Sequence, residues 1–296
     1  MRYITKEKGM KHHIIYNPAA QGGGSRAVLD KVCARLKEAG REYEVHETMY
    51  RGHARDIAAG LPAGEEELIV VGGDGTFHEV LNGLAAPEKM RIALIPAGTG
   101  NDFCVAADIS FDPDAAMAPV LRGDVKPVDY IDFSGKRCLN AGGMGMDVDV
   151  LERCARGSAK GRLKYLRSLI ASLFAFRGCD VRLSVNGKVY SEKALLAAVC
   201  NGDRIGGGIR ICPQAKVDDG KLEVVLVPQL KFSGMVRAFI ALMRGKILSF
   251  PQTLHFYCEE AEIFPDRART VQLDGELYKD CRVLDAKVVH GLQIYR

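Results

Sequence analysis

Between Leu68 and Asn82 an apolar run, Leu68 to Val71, passes through Gly72-Gly73-Asp74-Gly75-Thr76 into a stretch that places Phe77, Val80, Leu81 and Leu84 on one helical face. A strand that turns through glycines into a helix start is suited to phosphate. Glycine reaches positive φ and lets backbone approach closely, the first helical N–H groups have no partner within the helix, and the helix dipole favours an anion. Asp74 sits in the middle of that turn and would repel a bare phosphate. It therefore points to a divalent cation lying between carboxylate and phosphate, that is, to a metal-bound nucleotide. The loop lacks the Lys-Ser/Thr ending of a P-loop and the spacing of the dinucleotide glycine fingerprint. Taken alone, it also describes a tight strand-to-helix turn with Asp74 as a local cap.

From His13 to about Asp129 the chain alternates short apolar runs with amphipathic segments, the pattern of an α/β unit on a mostly parallel sheet. Strands are expected at 13–16, 43–48, 68–71 and 92–95, and helices at 25–39, 52–59 and 76–84. Three of the strands end in polar, glycine-bearing turns: Asn17 to Gly24, Gly72 to Thr76 and Pro96 to Asp102. Ligands of open α/β sheets sit at the carboxyl ends of strands, so these turns mark the expected binding edge. After Asp124–Val128 the pattern changes to short β-like runs at 130–133, 181–185, 195–200 and 222–227, broken by amphipathic stretches at 160–177 and 233–248. At 296 residues, 47% hydrophobic and 26% charged, the chain is long for one core and comfortable for two. The expected division is 1–128 and 129–288.

A formal net charge of +4 is too small to argue for nucleic acid, but it leaves an anionic substrate or an acidic membrane surface open. Nine cysteines without any Cys-x-x-Cys pair read as reduced thiols of a cytoplasmic protein. The first residues carry charge but no apolar leader core, and no stretch approaches the length of a membrane span. The protein is accordingly expected to be neither secreted nor integral to a membrane.

Asn17-Pro18, Gly72-Gly73-Asp74-Gly75-Thr76 and Pro96-x-Gly98-Thr99-x-Asn101-Asp102 follow successive strands in that order. Asn201-Gly202, Pro213-x-Ala215-x-x-Asp218-Asp219-Gly220-Lys221-Leu222 and Leu273-Asp274-Gly275-Glu276 come after them. With these motifs the chain resembles, over nearly its full length, the diacylglycerol kinase catalytic-domain family, specifically the soluble bacterial lipid kinases related to sphingosine kinases. The resemblance implies an N-terminal nucleotide-binding α/β domain, completed by residues 289–296, and a C-terminal β-sandwich-like domain for the lipid substrate. ATP, Mg2+ and a lipid hydroxyl are then expected to meet in the cleft between the two. The ATP-contacting positions it implies are Asn17, Pro18, Ala19, Ala20, Gln21, Thr48, Gly73, Asp74, Gly75, Thr76, Glu79 and Thr99. Relatives often close the Asn-Pro turn with glycine, where this chain has Gln21 followed by Gly22-Gly23-Gly24. Read from the residues alone, Thr48 is a strand-end hydroxyl bonded to its own backbone. His53 and His78 read as packing or surface residues, because phosphoryl transfer requires no imidazole there.

Leu273-Asp274-Gly275-Glu276 supplies two carboxylates across a glycine. In a regular strand both would face the same way, one toward a cation and the other toward an alcohol. In an unfamiliar sequence the same residues describe a type I′ or II′ hairpin turn at Asp-Gly. The resemblance implies that Glu276 accepts the proton of the attacking hydroxyl and that Asp274 assists at the metal or nucleotide, with Asp74 on the Mg-ATP side. It also implies a separate structural Mg2+ held by Asp219 and the main-chain carbonyls of Lys216 and Lys221, an oxygen set that suits a hard cation.

The stretch from Arg153 to Lys188 has nine basic residues and one acid, with Leu166, Leu169, Ile170, Leu173, Phe174 and Phe176 interleaved. The second amphipathic stretch places Met235, Phe239, Ile240 and Met243 at helical spacing beside Lys231, Arg237, Arg244 and Lys246. Each reads equally as a core helix or as a peripheral membrane contact. A homodimer is left open. The expected activity is an ATP-dependent, Mg2+-requiring lipid kinase acting on diacylglycerol. The alternatives are another lipid acceptor such as a sphingoid base or prenol, an NAD-kinase-like enzyme with a soluble acceptor, and a catalytically inactive lipid-binding protein.

Overall fold

A computed structural model describes residues 11–62, 67–156, 167–168, 170–172 and 175–296. The chain divides into two units, Met1–Val128 with Gly291–Arg296, and Asp129–His290.

Unit 1 alternates strands and helices: β1 (His12–Tyr16), α1 (Ser25–Glu38), β2 (Tyr43–Glu47), α2 (His53–Ala59), β3 (Glu67–Gly72), α3 (Asp74–Gly83), β4 (Arg91–Pro96), α4 (Asp102–Ala106) and α5 (Pro113–Arg122). β1 pairs in parallel with both β2 and β3, and β3 with β4. Every residue of β1 and β3 is buried, and their central residues, Ile14 to Tyr16 and Leu68 to Val71, read as apolar runs: a parallel sheet covered on both faces leaves no strand face for water. α5 escapes a periodicity reading because Pro119 lies inside it. It is set by Asp112, whose carboxylate accepts the Ala115 N–H at 3.2 Å, by Pro113 at the first helical position, and by Gly123, left-handed at φ 77°, at its end.

Unit 2 begins within β5 (Val125–Phe133) and continues through β6 (Lys136–Cys138), β7 (Ala141–Gly145), α6 (Met146–Arg156), β8 (Cys179–Val185), β9 (Lys188–Cys200), β10 (Arg204–Ile205), β11 (Ile209–Arg210), β12 (Leu222–Pro228), α7 (Phe232–Met243), β13 (Leu254–Cys258), β14 (Glu260–Pro265), β15 (Arg269–Leu273), β16 (Glu276–Cys281) and β17 (Leu284–Tyr295). Its pairings are antiparallel, with β9 flanked by β7, β8 and β12 along its length. The central strands feed two cores. Leu222, Val224 and Leu226 of β12 enter one with Val199 and Ala197 of β9, while Val225 and Val227 enter the other beneath Met235, Ala238 and Leu242 of α7. A period of two explains how one strand serves both. The expected helix at 233–248 stops at Met243 because Gly245 adopts φ 64°, with Gly245 and Lys246 N–H closing on Leu242 and Ala241 carbonyls at 2.9 and 2.7 Å. Most of the expected helix at 160–177 lies outside the described residues. Among the described residues no helix is long and apolar enough to cross a membrane.

The last residues of β17 return to unit 1, where Gln293 and Ile294 pair in parallel with Arg91 and Ile92 of β4. A buried ionic group holds that return. Glu67, 3% exposed at the start of β3, is 2.7 Å from His12 Nε2, accepts the Tyr295 hydroxyl, and has Arg41 and Arg91 at 3.6 and 3.9 Å. Burial pushes the Glu67 carboxyl up, but the His12 and Tyr295 hydrogen bonds and the nearby charges outweigh it and hold the group below the ordinary carboxylate range. A carboxyl held low in the folded chain stabilises it above the unfolded carboxylate pKa, and that contribution is lost as pH falls through the lower folded value. Tyr295→Phe, which strips one donor from a buried carboxylate, is expected to cost about 1–3 kcal/mol in urea unfolding at neutral pH. The deficit should shrink in acid, and an equal deficit at pH 7 and pH 3 would contradict this account.

Candidate active site

The three turns expected at the binding edge of unit 1 are brought together by backbone and side-chain hydrogen bonds. Asn17 N–H donates to the Val71 carbonyl at 3.0 Å, and its side-chain Nδ2 donates to Thr76 Oγ1 at 3.0 Å. Asn17 Oδ1 accepts the Ala19 N–H, and Ser25 Oγ donates to the Asn17 carbonyl, so the Asn17–Gln21 turn is stitched to the start of α1. Between the β3 and β4 turns the backbones touch. A Cβ on Gly98 would lie 2.5 Å from Gly73 Cα and 2.6 Å from Asn101 Oδ1, and a Cβ on Gly73 would lie 2.9 Å from Gly98 Cα. Only glycine permits that approach. Asn101, left-handed at φ 54°, closes the β4 turn by accepting the Gly98 N–H and donating to the Gly98 carbonyl, both at 3.0 Å. Asparagine tolerates that conformation better than other side-chain-bearing residues.

Asp74 is the first residue of α3, and its Oδ1 accepts the Phe103 N–H across the neighbouring turn at 3.3 Å. It therefore ties two turns together as well as placing a carboxylate at the helix start. Gly73, extended at φ −116°, caps α3 without a side chain, so peptide N–H groups and no bulky cap line the phosphate-favouring end of a ten-residue helix. The hard oxygens of Asp74, Thr76 and Asn17 beside glycine backbone fit a magnesium nucleotide. Thr99 is exposed, whereas Thr48 is buried with its N–H on the Tyr16 carbonyl at 2.9 Å. Glu79 faces α2: its two oxygens accept the Gly52 and Ala54 N–H groups at 2.8 and 3.3 Å, the work of a helix-terminus anchor. His78 is buried on α3, and His53 Nδ1 accepts the Met49 N–H at 3.0 Å.

In unit 2 the condition of a regular strand through Asp274 and Glu276 is not met. Asp274 and Gly275, at φ 50° and 87°, are the two central residues of a hairpin turn joining β15 to β16, with Leu273 opposite Glu276. Positive φ at both positions is the type I′ signature, which Asp-Gly favours. The Asp274 carboxylate turns back onto the β6–β7 connection, accepting N–H groups of Leu139, Asn140 and Ala141 at 2.7, 2.8 and 3.3 Å and the Cys138 thiol at 3.0 Å. Burial first, and then the Asp274 charge, push that thiol well above its ordinary range. The next residue along is held too: Gly275 N–H donates to Gln272 Oε1 at 2.9 Å.

Two carboxylates here escape a motif reading. Asp147, buried at the start of α6 against the Gln272 side chain, is pushed by burial up to about 6. It therefore sits one side chain away from the turn that carries Glu276. Asp129, also buried, accepts the Gly220 N–H at 2.8 Å with one oxygen and contacts His290 Nδ1 at 2.8 Å with the other. It braces the 216–221 turn, in which Asp219 Oδ1 accepts the Lys221 N–H at 3.1 Å. Asp129 belongs to no glycine-flanked pattern, whereas Asp147 follows Gly142-Gly143-Met144-Gly145, and a Cβ on Gly143 would lie 2.6 Å from its Oδ2.

Residues 11–133 match the model of the diacylglycerol kinase catalytic domain, and residues 141–293 match that of the YegS C-terminal NAD kinase beta sandwich-like domain. A Pseudomonas aeruginosa protein named probable lipid kinase YegS-like is 36% identical over 209 residues, 69% of this chain and 68% of its own length. The diacylglycerol kinase of Bacillus subtilis is 26% identical over 270 residues, covering 89% and 88%. Among solved structures, a diacylglycerol kinase from Bacillus anthracis superposes with a TM-score of 0.78 at 26% identity, covering 98% of each chain.

Asp274→Ala leaves three backbone N–H groups of a buried connection without their acceptor. The expected cost is of the order of 3 kcal/mol in urea unfolding followed by circular dichroism, since each buried donor left unmatched costs about 1–3 kcal/mol. A loss under about 0.5 kcal/mol, the ordinary range of a surface change, would show that Asp274 is not an anchor.

Proposed function

The chain belongs to the diacylglycerol kinase family of lipid kinases, and from that membership we propose that it transfers the γ-phosphate of ATP to the hydroxyl of diacylglycerol, yielding phosphatidic acid. The contact of Gly73 with Gly98 beside the start of α3 carries this reading, because it joins two glycine turns and an acid at one helix N-terminus. ATP, when bound with Mg2+, supplies the phosphoryl group and the cation that offsets its charge. Asn17 to Gln21 and Gly73 to Thr76 would hold the phosphates, and Asp74 would hold the cation. Asp274, whose carboxylate is committed to the β6–β7 backbone, acts as a positioning residue for the turn. Glu276, at the first position of β16, takes the proton of the acceptor hydroxyl.

Glu276→Ala is expected to lower phosphate transfer by about 10²–10⁴ while nucleotide binding, read by calorimetry, is kept. Near-normal turnover in that variant would refute the assignment. The acceptor is settled by a radiolabelled-ATP assay over diacylglycerol, monoacylglycerol, ceramide, sphingoid bases and prenols, with NAD+ as the soluble-acceptor control. Transfer to none of them would support an inactive lipid-binding protein instead.

We also propose a peripheral membrane contact. α7 packs Met235, Ala238 and Leu242 inward but leaves Phe232, Ile240 and Met243 at 55%, 42% and 45% exposure, with Lys231, Arg237 and Arg244 on the same segment. Exposed apolar residues flanked by cations suit an anionic bilayer surface. Arg162 and Lys164 of the other basic stretch lie outside the described residues, and Arg167 is exposed. In flotation with anionic vesicles, Ile240→Glu with Met243→Glu is expected to lose binding, and reversal of Arg162, Lys164 and Arg167 to weaken it. Unchanged flotation of both variants would sink the idea.

A further inference from the structure

The edge of the unit 1 sheet carries three ligand-type side chains that the nucleotide turns do not use. His13 of β1 stands opposite Glu44 of β2, and His46 stands opposite Ile15, so all three residues occupy one face of two adjacent parallel strands. His13 Nδ1 and His46 Nε2 are 3.1 Å apart, their rings stacked with centroids at 5.4 Å, and the ligand atoms of His13, Glu44 and His46 all lie within 4.8 Å of one another. We infer that His13, Glu44 and His46 form a binding site for a divalent transition-metal ion of the zinc, nickel or copper class.

The spacing fits that chemistry. A tetrahedral ion with nitrogen ligands at about 2.0–2.1 Å separates them by roughly 3.3 Å, within a few tenths of the distance seen. Two imidazoles with one carboxylate are a familiar set of three protein ligands, leaving a fourth position for water. They are a poor set for Mg2+, which prefers oxygen throughout, so this site differs in kind from the nucleotide cation. Both imidazoles must be neutral to bind. Burial pulls His46 below its ordinary value; Glu44 pushes it back, and His13 and Lys11 add to the lowering. Lys11 Nζ lies 2.5 Å from Glu44 Oε2 and competes for that carboxylate, but Glu44 is exposed and its other oxygen can serve the ion. The bland account of the ring contact is one hydrogen bond between two neutral imidazoles. A carboxylate on the same face, at the exposed edge of the sheet, is what favours a cation.

The untagged full chain, stripped by chelator dialysis, is titrated with Co2+ and then with Zn2+. The expected result is a single equivalent of Co2+ with visible ligand-field bands and no thiolate charge-transfer band, displaced by Zn2+ and not by millimolar Mg2+. Glu44→Gln and His46→Gln are each expected to weaken Co2+ binding about tenfold or more with the far-ultraviolet circular dichroism unchanged. Zn2+ is expected to raise the thermal midpoint of the wild-type chain and not that of His46→Gln. Glu44 is exposed, so its variant keeps the test intact if His46→Gln does not fold. Unchanged affinity in Glu44→Gln, a thiolate band that assigns the ion to cysteine, or no Co2+ binding at micromolar concentration would each overturn the inference.

Discussion

The turn-bearing edge of the unit 1 sheet rests on one steric fact: the backbones of Gly73 and Gly98 occupy the space that any side chain at either position would need. That contact lets the turns after β3 and β4 share a surface, and neighbouring residues hold the contact in place. Asn101 folds onto Gly98 with both ends of its amide, and Asp74 reaches the Phe103 N–H from the other side. Asn17 then joins the β1 turn through Thr76. Each bond is individually modest, about 1 kcal/mol net, but they close a ring of turns that glycine alone could not hold rigid.

The parallel sheet of unit 1 was legible because its strands are buried on both faces and punctuated by glycine and polar turns; β1, β3 and β4 match their apolar runs to within a residue or two at each end. His12 and Glu67 fall outside those runs because they are charged or polar in type, yet they are buried as a pair with Tyr295. No local pattern announces a partner 228 positions away. The same limit hid Asp129 and Asp147, whose significance comes from strands brought together across the chain. α5 was missed for the opposite reason: its signals are strong but lie at its ends, in Asp112, Pro113 and Gly123, while Pro119 interrupts the interior.

Unit 2 shows what a period of two can and cannot settle. β9 and β12 place alternate residues in two cores, so a run such as Leu222 to Val227 is apolar throughout although each residue faces only one side. The sequence therefore reads as a strand without revealing that it is a shared wall. α7 carries the complementary ambiguity. One stripe, Met235, Ala238 and Leu242, is core, and Phe232, Ile240 and Met243 remain exposed outside it, so periodicity alone does not say which apolar residues the core takes.

The Asp274-Gly275-Glu276 segment resolves a choice that residue types alone left open. Asp-Gly forms the I′ turn that its chemistry favours. A turn with both central residues at positive φ reverses the chain within two residues, which sends the Asp274 carboxylate back to three N–H groups of the β6–β7 connection and begins β16 at Glu276. The anion thus anchors the turn to a neighbouring strand, and Gln272 holds Gly275 from within. A hairpin tip is ordinarily the most mobile part of a sheet. The half-buried Asp274 carboxylate fastens that tip to the β6–β7 connection, so the turn from which β16 starts at Glu276 is held from a neighbouring strand.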